Sequence, residues 1–260
     1  MRPAALLVRS SLLVLLSAAP LAAQGIALPL RCEGACPARL PATLALDSLR
    51  VWANLERGRA DTYVDYVIRN QTAGTVEGAF FFPLPPGAEV DRVWVRAGSE
   101  LELYREWSRP EESRLMLDGF ARERPDAGLA AYAGARLVHV RVPPIAPGGV
   151  KHLQIGYTQP LRTERGAIAY RYPLALAARA APVGHVDLGM TVKTQDGFVD
   201  IRSPTHAVAI QAGMEPGPCR PRERCGTRGY PSHRVKVVRL EHAAGVRARD
   251  FELVYVPTQP

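Results

Sequence analysis

Apolar and polar positions alternate with a period of two along most of the chain. Leu49, Val51, Ala53 and Leu55 are separated by Arg50, Trp52 and Asn54. Thr62, Val64, Tyr66 and Ile68 alternate with Tyr63, Asp65, Val67 and Arg69, and Val93 and Val95 with Arg92, Trp94 and Arg96. Successive side chains of a strand point to opposite faces, so each run predicts a half-buried strand. Further strands are predicted at Leu137–Val142, Val150–Tyr157, Ala167–Tyr172, His185–Lys193, Gly197–Arg202, Ala207–Gln211, Arg234–Leu240 and Asp250–Val256. Turn residues punctuate them at Pro83–Gly87, Pro143–Gly149 and Gln195–Gly197. Short, regularly spaced strands of this kind predict an all-β fold, an antiparallel β-sandwich.

One segment breaks the rhythm. From Ser108 to Arg124, Leu115, Met116, Leu117 and Phe120 fall at helical spacing, Ser108 and Glu111 form a capping-box pattern, and Pro125 ends the run. Gly119 weakens such a helix by about 1 kcal/mol relative to Ala. The pattern predicts one short amphipathic helix lying across a sheet and closing an open end of the sandwich.

The N-terminus changes the picture. Arg2 and Arg9 precede an apolar run from Ser11 to Ala19, and small residues follow at Ala22 and Ala23. This reads as a secretory signal over residues 1–24, too short for the ~20 residues that cross a bilayer. No later segment is apolar enough for a transmembrane span, so the mature chain is expected to be exported, periplasmic or extracellular. The net charge of +8 falls to +6 once Arg2 and Arg9 leave with the signal. Only Lys151, Lys193 and Lys236 among the 33 basic residues are lysine, a skew more like GC-rich coding than selection for phosphate.

Four cysteines suit an oxidising compartment. Cys32 and Cys36 lie in an N-terminal segment, residues 25–45, and Cys219 and Cys225 near the other end. Of the three possible pairings, two local bridges demand least of the fold, and four thiolates converging on a metal are disfavoured. The basic cluster of Arg220, Arg222, Arg224, Arg228 and Arg234, extended by Lys236 and Arg239, is a candidate for binding an anionic polymer or lipid surface. Nucleic acid fits poorly, because the chain reads as exported and carries no recognition motif.

Catalytic patterns are missing: there is no G-x-S-x-G, H-E-x-x-H or phosphate-binding glycine loop. His139 and His152 are expected on the solvent side of a hairpin whose other side carries Val138, Val140, Val142, Leu153, Ile155 and Tyr157. Asp200, Ser203 and His206 are close in sequence without anything to form an oxyanion hole. No cofactor or metal is expected, and no enzyme. Trp52, Trp94 and Trp107 are either packing residues or interface markers.

Leu46–Leu161 resembles the vault protein inter-alpha-trypsin (VIT) domain. The resemblance rests on the opening strand Leu49–Leu55, the alternating stretch Tyr63–Asn70, and Glu77–Pro85 (EGAFFFPLP) followed by Ala88, Glu89 and Val90. It continues through the helical Glu112–Arg124 into Pro125-Asp126-Ala127-Gly128-Leu129, and then Val140–Leu161 (VRVPPIAPGGVKHLQIGYTQPL). It implies a VIT-like β-sandwich over residues 46–162, followed by a β-rich region, 163–260, that looks like the connector of bacterial members. In relatives a von Willebrand type A domain with a metal-ion-dependent adhesion site commonly follows. No D-x-S-x-S ligand sequence occurs here, so that metal-dependent binding is not carried over. The expectation is a stand-alone module, or one completed by a separately encoded von Willebrand type A protein. The implied role is non-catalytic protein interaction or scaffolding at the cell envelope, with an envelope or extracellular protein as partner; the alternative is an anionic envelope polymer or lipid surface held by the 220–239 region.

Overall fold

The structure, a computed structural model, describes residues 25–41, 43–97, 100–123, 132, 134–174, 183–194, 197–215, 233–241 and 250–258. In chain order the elements are β1 (Ile26–Gly34), β2 (Ala45–Glu56), β3 (Arg59–Arg69), β4 (Gly74–Pro83), β5 (Glu89–Ala97), β6 (Glu100–Leu103), β7 (Trp107–Ser108), α1 (Pro110–Glu123), β8 (Leu137–Ile145), β9 (Val150–Pro160), β10 (Thr163–Glu164), β11 (Ala167–Tyr172), β12 (His185–Thr194), β13 (Phe198–Arg202), β14 (Ala209–Glu215), β15 (His233–Glu241) and β16 (Phe251–Pro257). The fold is all-β with one short helix.

An eight-stranded sheet in the order β14-β15-β12-β2-β3-β9-β5-β6 forms one layer. Its neighbours are antiparallel except β2 and β12, which run parallel. That pair departs from the antiparallel expectation for a reason visible in its register. Leu49, Val51, Ala53 and Leu55 stand beside Val186, Leu188, Met190 and Val192, so two apolar rows merge into one buried face. The sheet thereby continues across residue 163. β2 and β3 are joined by Arg57 and Gly58, both at positive φ (50° and 73°), the two-residue turn whose twist suits a hairpin.

Two four-stranded sheets, β1-β4-β8-β7 and β10-β11-β16-β13, complete the sandwich. One continuous core joins them to the inner face of the large sheet. Phe80 and Phe82 of β4 meet Tyr66 and Tyr157, and Tyr170, Tyr172, Phe251, Leu253 and Tyr255 close it from the second small sheet. The β1-β4-β8-β7 sheet is buried on its back as well. Ile26, Leu28, Ala79, Phe81 and Leu137 lie there against Leu117 and Phe120 of α1. This double burial explains why Gly78–Phe82 shows no alternation, and why β1 was not legible as a strand.

Three expectations are corrected. The Pro143–Gly149 connection does not close a hairpin: β8 pairs with β4 while β9 lies between β3 and β5, so the chain changes sheets there. The two apolar rows face each other across the core instead of lying side by side. Helix α1 covers the back of a sheet and plugs no open end, with Ser113 and Leu117 buried beneath it and Leu115 and Met116 turned outward. Ser108 does not cap it, being engaged in β7 opposite His139; the Ser113 hydroxyl donates to the carbonyls of Ser108 and Arg109 (2.9 and 2.8 Å) and accepts the His139 N–H (2.8 Å).

Asn70, fully buried at the end of β3, locks the sheet change in place. Its amide donates to the carbonyls of Gly74 (2.7 Å) and Ile145 (2.9 Å), and its oxygen accepts from Thr72 (2.9 Å to the backbone N–H). A buried amide satisfied on both ends holds a connection more firmly than apolar packing alone.

Candidate binding face

The sequence candidates are scattered. Cys32 and Cys36 form a disulfide, 2.09 Å between sulfurs, at the end of β1. Cys219, Cys225, Arg220, Arg222, Arg224 and Arg228 lie outside the described residues, as does the signal reading of 1–24. Arg234 pairs through its backbone with Met214 and Thr194, and its side chain is outside the description.

His139 and His152 are not a surface pair. The sheet change sends them to opposite sides of the sandwich: His152 is partly exposed on the large sheet, whereas His139 is buried against Phe81, its ring 5.1 Å away, on the face that α1 covers. Burial lowers the His139 pKa to about 4, and neither ring nitrogen has a partner among the described residues. The Asp200, Ser203 and His206 trio does not assemble. Asp200 pairs with Arg202, the Ser203 hydroxyl accepts the His206 backbone N–H (3.2 Å), and the His206 ring meets Thr205 Oγ1 (2.8 Å). Among the described residues no three His, Cys, Asp or Glu side chains are arranged to hold a metal, and no helix is long and apolar enough to cross a membrane.

What the fold does assemble is the outer face of the eight-stranded sheet. Strand register places Arg239, Gly189, Trp52, Tyr63, Gly156 and Arg92 in one row across β15, β12, β2, β3, β9 and β5. The adjacent row runs Asp187, Arg50, Asp65, Gln154 and Trp94. Trp52 and Tyr63 are 40% and 39% exposed, as expected of rings with one side against the sheet and the other open. Glycine permits this posture. A Cβ on Gly189 would come within 2.3 Å of the Trp52 ring, and one on Gly156 within 3.1 Å of Trp94 and 3.3 Å of Tyr63. Bare strand backbone is thus roofed by aromatic rings, a packing that itself supports the strands.

Charged groups frame the rings. Arg92 stacks over Trp94, 6.0 Å from the ring centroid. Asp187 is shared by His185 (3.0 Å) and Arg50 (3.7 Å). Burial raises the Asp65 pKa, and the nearby charges of His152, Arg50 and Arg96 oppose it. Beside Trp52 a groove of about 390 Å³ opens, with Arg50, His185, Asp187, Gly189 and Arg239 around it. Trp107 belongs elsewhere, packed against the core. The sequence offered Trp52 and Trp94 as interface candidates. It did not align them with Tyr63, Arg92 and Arg239, because alignment across strands is a matter of register; the one local signal was glycine inside two strands.

No protein-family model and no curated protein matches the chain. Among solved structures, a "putative nutrient binding protein" from Legionella pneumophila subsp. pneumophila str. Philadelphia 1 is similar over 90% of this chain and 72% of its own, with 13% identity and a TM-score of 0.48. An M1 zinc metallopeptidase from Deinococcus radiodurans is similar over 83% of this chain and 44% of its own, with 11% identity and a TM-score of 0.40. Neither likeness bears on a ligand or activity of this chain.

Proposed function

We propose that the chain is an exported, non-catalytic interaction module of VIT type, working as a scaffold at the cell envelope through the outer face of its eight-stranded sheet. The observation that carries the proposal is the exposed pair Trp52 and Tyr63, with half-buried Trp94 in the next row and arginines around them, since Trp, Tyr and Arg dominate binding hot spots. The signal-like residues 1–24 and the Cys32–Cys36 disulfide support export. The VIT resemblance supports an envelope or extracellular protein as partner, a separately encoded von Willebrand type A protein among the candidates. The test is capture from envelope extract after gentle cross-linking, with wild type beside a Trp52→Ala/Tyr63→Ala variant. A reproducible partner lost in the variant supports the proposal; capture indifferent to the substitutions overturns the assignment of the face.

A second reading, binding of an anionic envelope polymer, is favoured by one observation. Arg239, the last residue of the basic segment, stands at one end of the aromatic row and Arg92 at the other, and neither has a carboxylate in ion-pair range among the described residues.

A further inference from the structure

We infer that the groove at Trp52 is an anchoring subsite for one acidic sugar unit, and that the outer face holds an acidic polysaccharide along Trp52, Tyr63 and the neighbouring Trp94. The inference rests on the second reading above and gives it a site and a ligand class.

The groove's size and lining carry it. Its volume of about 390 Å³ falls within the usual range for small-ligand sites, roughly 300–1,000 Å³. One wall is the Trp52 indole, lowered over Gly189 so that it offers a flat apolar surface. A pyranose ring has a matching face of C–H groups, which packs on an indole as an aliphatic surface does, while its hydroxyls point sideways. Sideways here lie Arg50, Arg239 and His185 as donors and Asp187 as an acceptor. A purely apolar ligand would strip water from those charged groups without replacing it, and a bare inorganic anion would leave the indole unused.

Charge selects an acidic sugar over a neutral one. Across the two central rows the register sets Arg50, Arg92 and Arg239 among Asp65, Asp187 and Glu241, so the selection rests on which guanidinium groups are engaged: Asp187 is already occupied by Arg50 and His185. The guanidinium groups of Arg239 and Arg92 remain to receive carboxylates, which they can grip with two parallel hydrogen bonds. Geometry selects a chain over a single sugar. Arg239 and Arg92 are five strand steps apart, roughly 24 Å at the usual spacing of about 4.8 Å, with aromatic surface between them.

The test uses the full chain in affinity gels cast with polygalacturonate, alginate or hyaluronan, beside gels containing neutral hydroxyethyl cellulose or poly-glutamate. Expected are retardation by at least one acidic polysaccharide, quenching or shift of tryptophan fluorescence on binding, and little effect of the neutral polymer or of charge without sugar. Trp52→Ala and Arg239→Gln should each weaken retention tenfold or more with an unchanged circular dichroism spectrum. Should Trp52→Ala misfold, exposed Arg239→Gln carries the test alone. No retardation by any of the three polysaccharides, equal retardation by poly-glutamate, or undiminished retention in the folded variants overturns the inference. A protein partner captured through Trp52 and Tyr63 without polysaccharide retention also overturns it, while leaving the interaction-module proposal standing.

Discussion

The two faces of the eight-stranded sheet carry similar side chains under opposite conditions. On β3, Tyr66 points inward and is sealed; Tyr63, three residues earlier and of opposite parity, points outward and is 39% exposed. Inside, Tyr157 and Tyr170 lie beside Thr62, 3.1 Å from the Tyr170 hydroxyl, and Tyr66 lies beside Tyr172 in the same core. Burial pushes the Tyr170 phenol up to about 12 and raises the other three as well, so all four stay neutral at any physiological pH. The Tyr66, Tyr157 and Tyr172 hydroxyls influence their neighbours electrostatically yet make no well-formed hydrogen bond among the described residues. An aromatic of one parity supplies cohesion, and one of the other parity supplies surface. The same alternation supplies a sealed core and an exposed aromatic face without asking one residue to do both.

This contrast can be broken experimentally, most forcefully in the core. Phe80→Ala, which removes a sealed ring packed 4.6 Å from Tyr66, should cost about 3–5 kcal/mol in a denaturant titration. Trp52→Ala should cost less than about 1 kcal/mol, as for surface positions generally. Equal losses would show that the outer row is core in disguise.

The two histidines sharpen the comparison through pH. An unfolded imidazole takes its proton near 6.5, but His139 in the fold only near 4, so the unfolded state binds the proton first as pH falls. Stability should therefore be full above pH 6.5 and decline as pH drops toward 4, by up to roughly 3 kcal/mol at 1.36 kcal/mol per pH unit. His139→Phe should flatten that slope and His152→Phe should leave it; urea unfolding midpoints at several pH values decide. The Cys32–Cys36 bond closes only a short loop, so its reduction should cost about 2 kcal/mol from chain entropy, readable as a lower melting temperature in dithiothreitol. Smallest is Tyr66→Phe. Removing a buried hydroxyl that makes no well-formed hydrogen bond to its neighbours Tyr172 and Gly25 should be neutral or stabilising by up to about 1 kcal/mol, and a clear loss would mean that the inner hydroxyls form a working network after all.

Legibility followed burial. Strands exposed on one side, such as β2, β3 and β5, announced themselves by alternation. Strands covered on both sides did not. β1 shows only a run of apolar residues, and the back face holding Phe81 and His139 became apparent only with α1 placed over it. Of the binding face, the tryptophans could be named from the sequence. Tyr63 looked like any polar-side residue of an alternating strand, and Gly156 and Gly189 had no meaning until rings from neighbouring strands lay above them.

The sequence by itself determined which side chains of each strand share a face, where the turns fall and that Cys32 and Cys36 are near enough to join, because these depend on neighbours a few residues away. Only the tertiary structure decided that β2 runs beside β12, that β8 and β9 part into different sheets, and that Arg239, Trp52, Tyr63 and Arg92 stand in line. Those outcomes depend on pairings between strands tens to more than a hundred residues apart, and a period-two pattern is compatible with any register that keeps the apolar side inward.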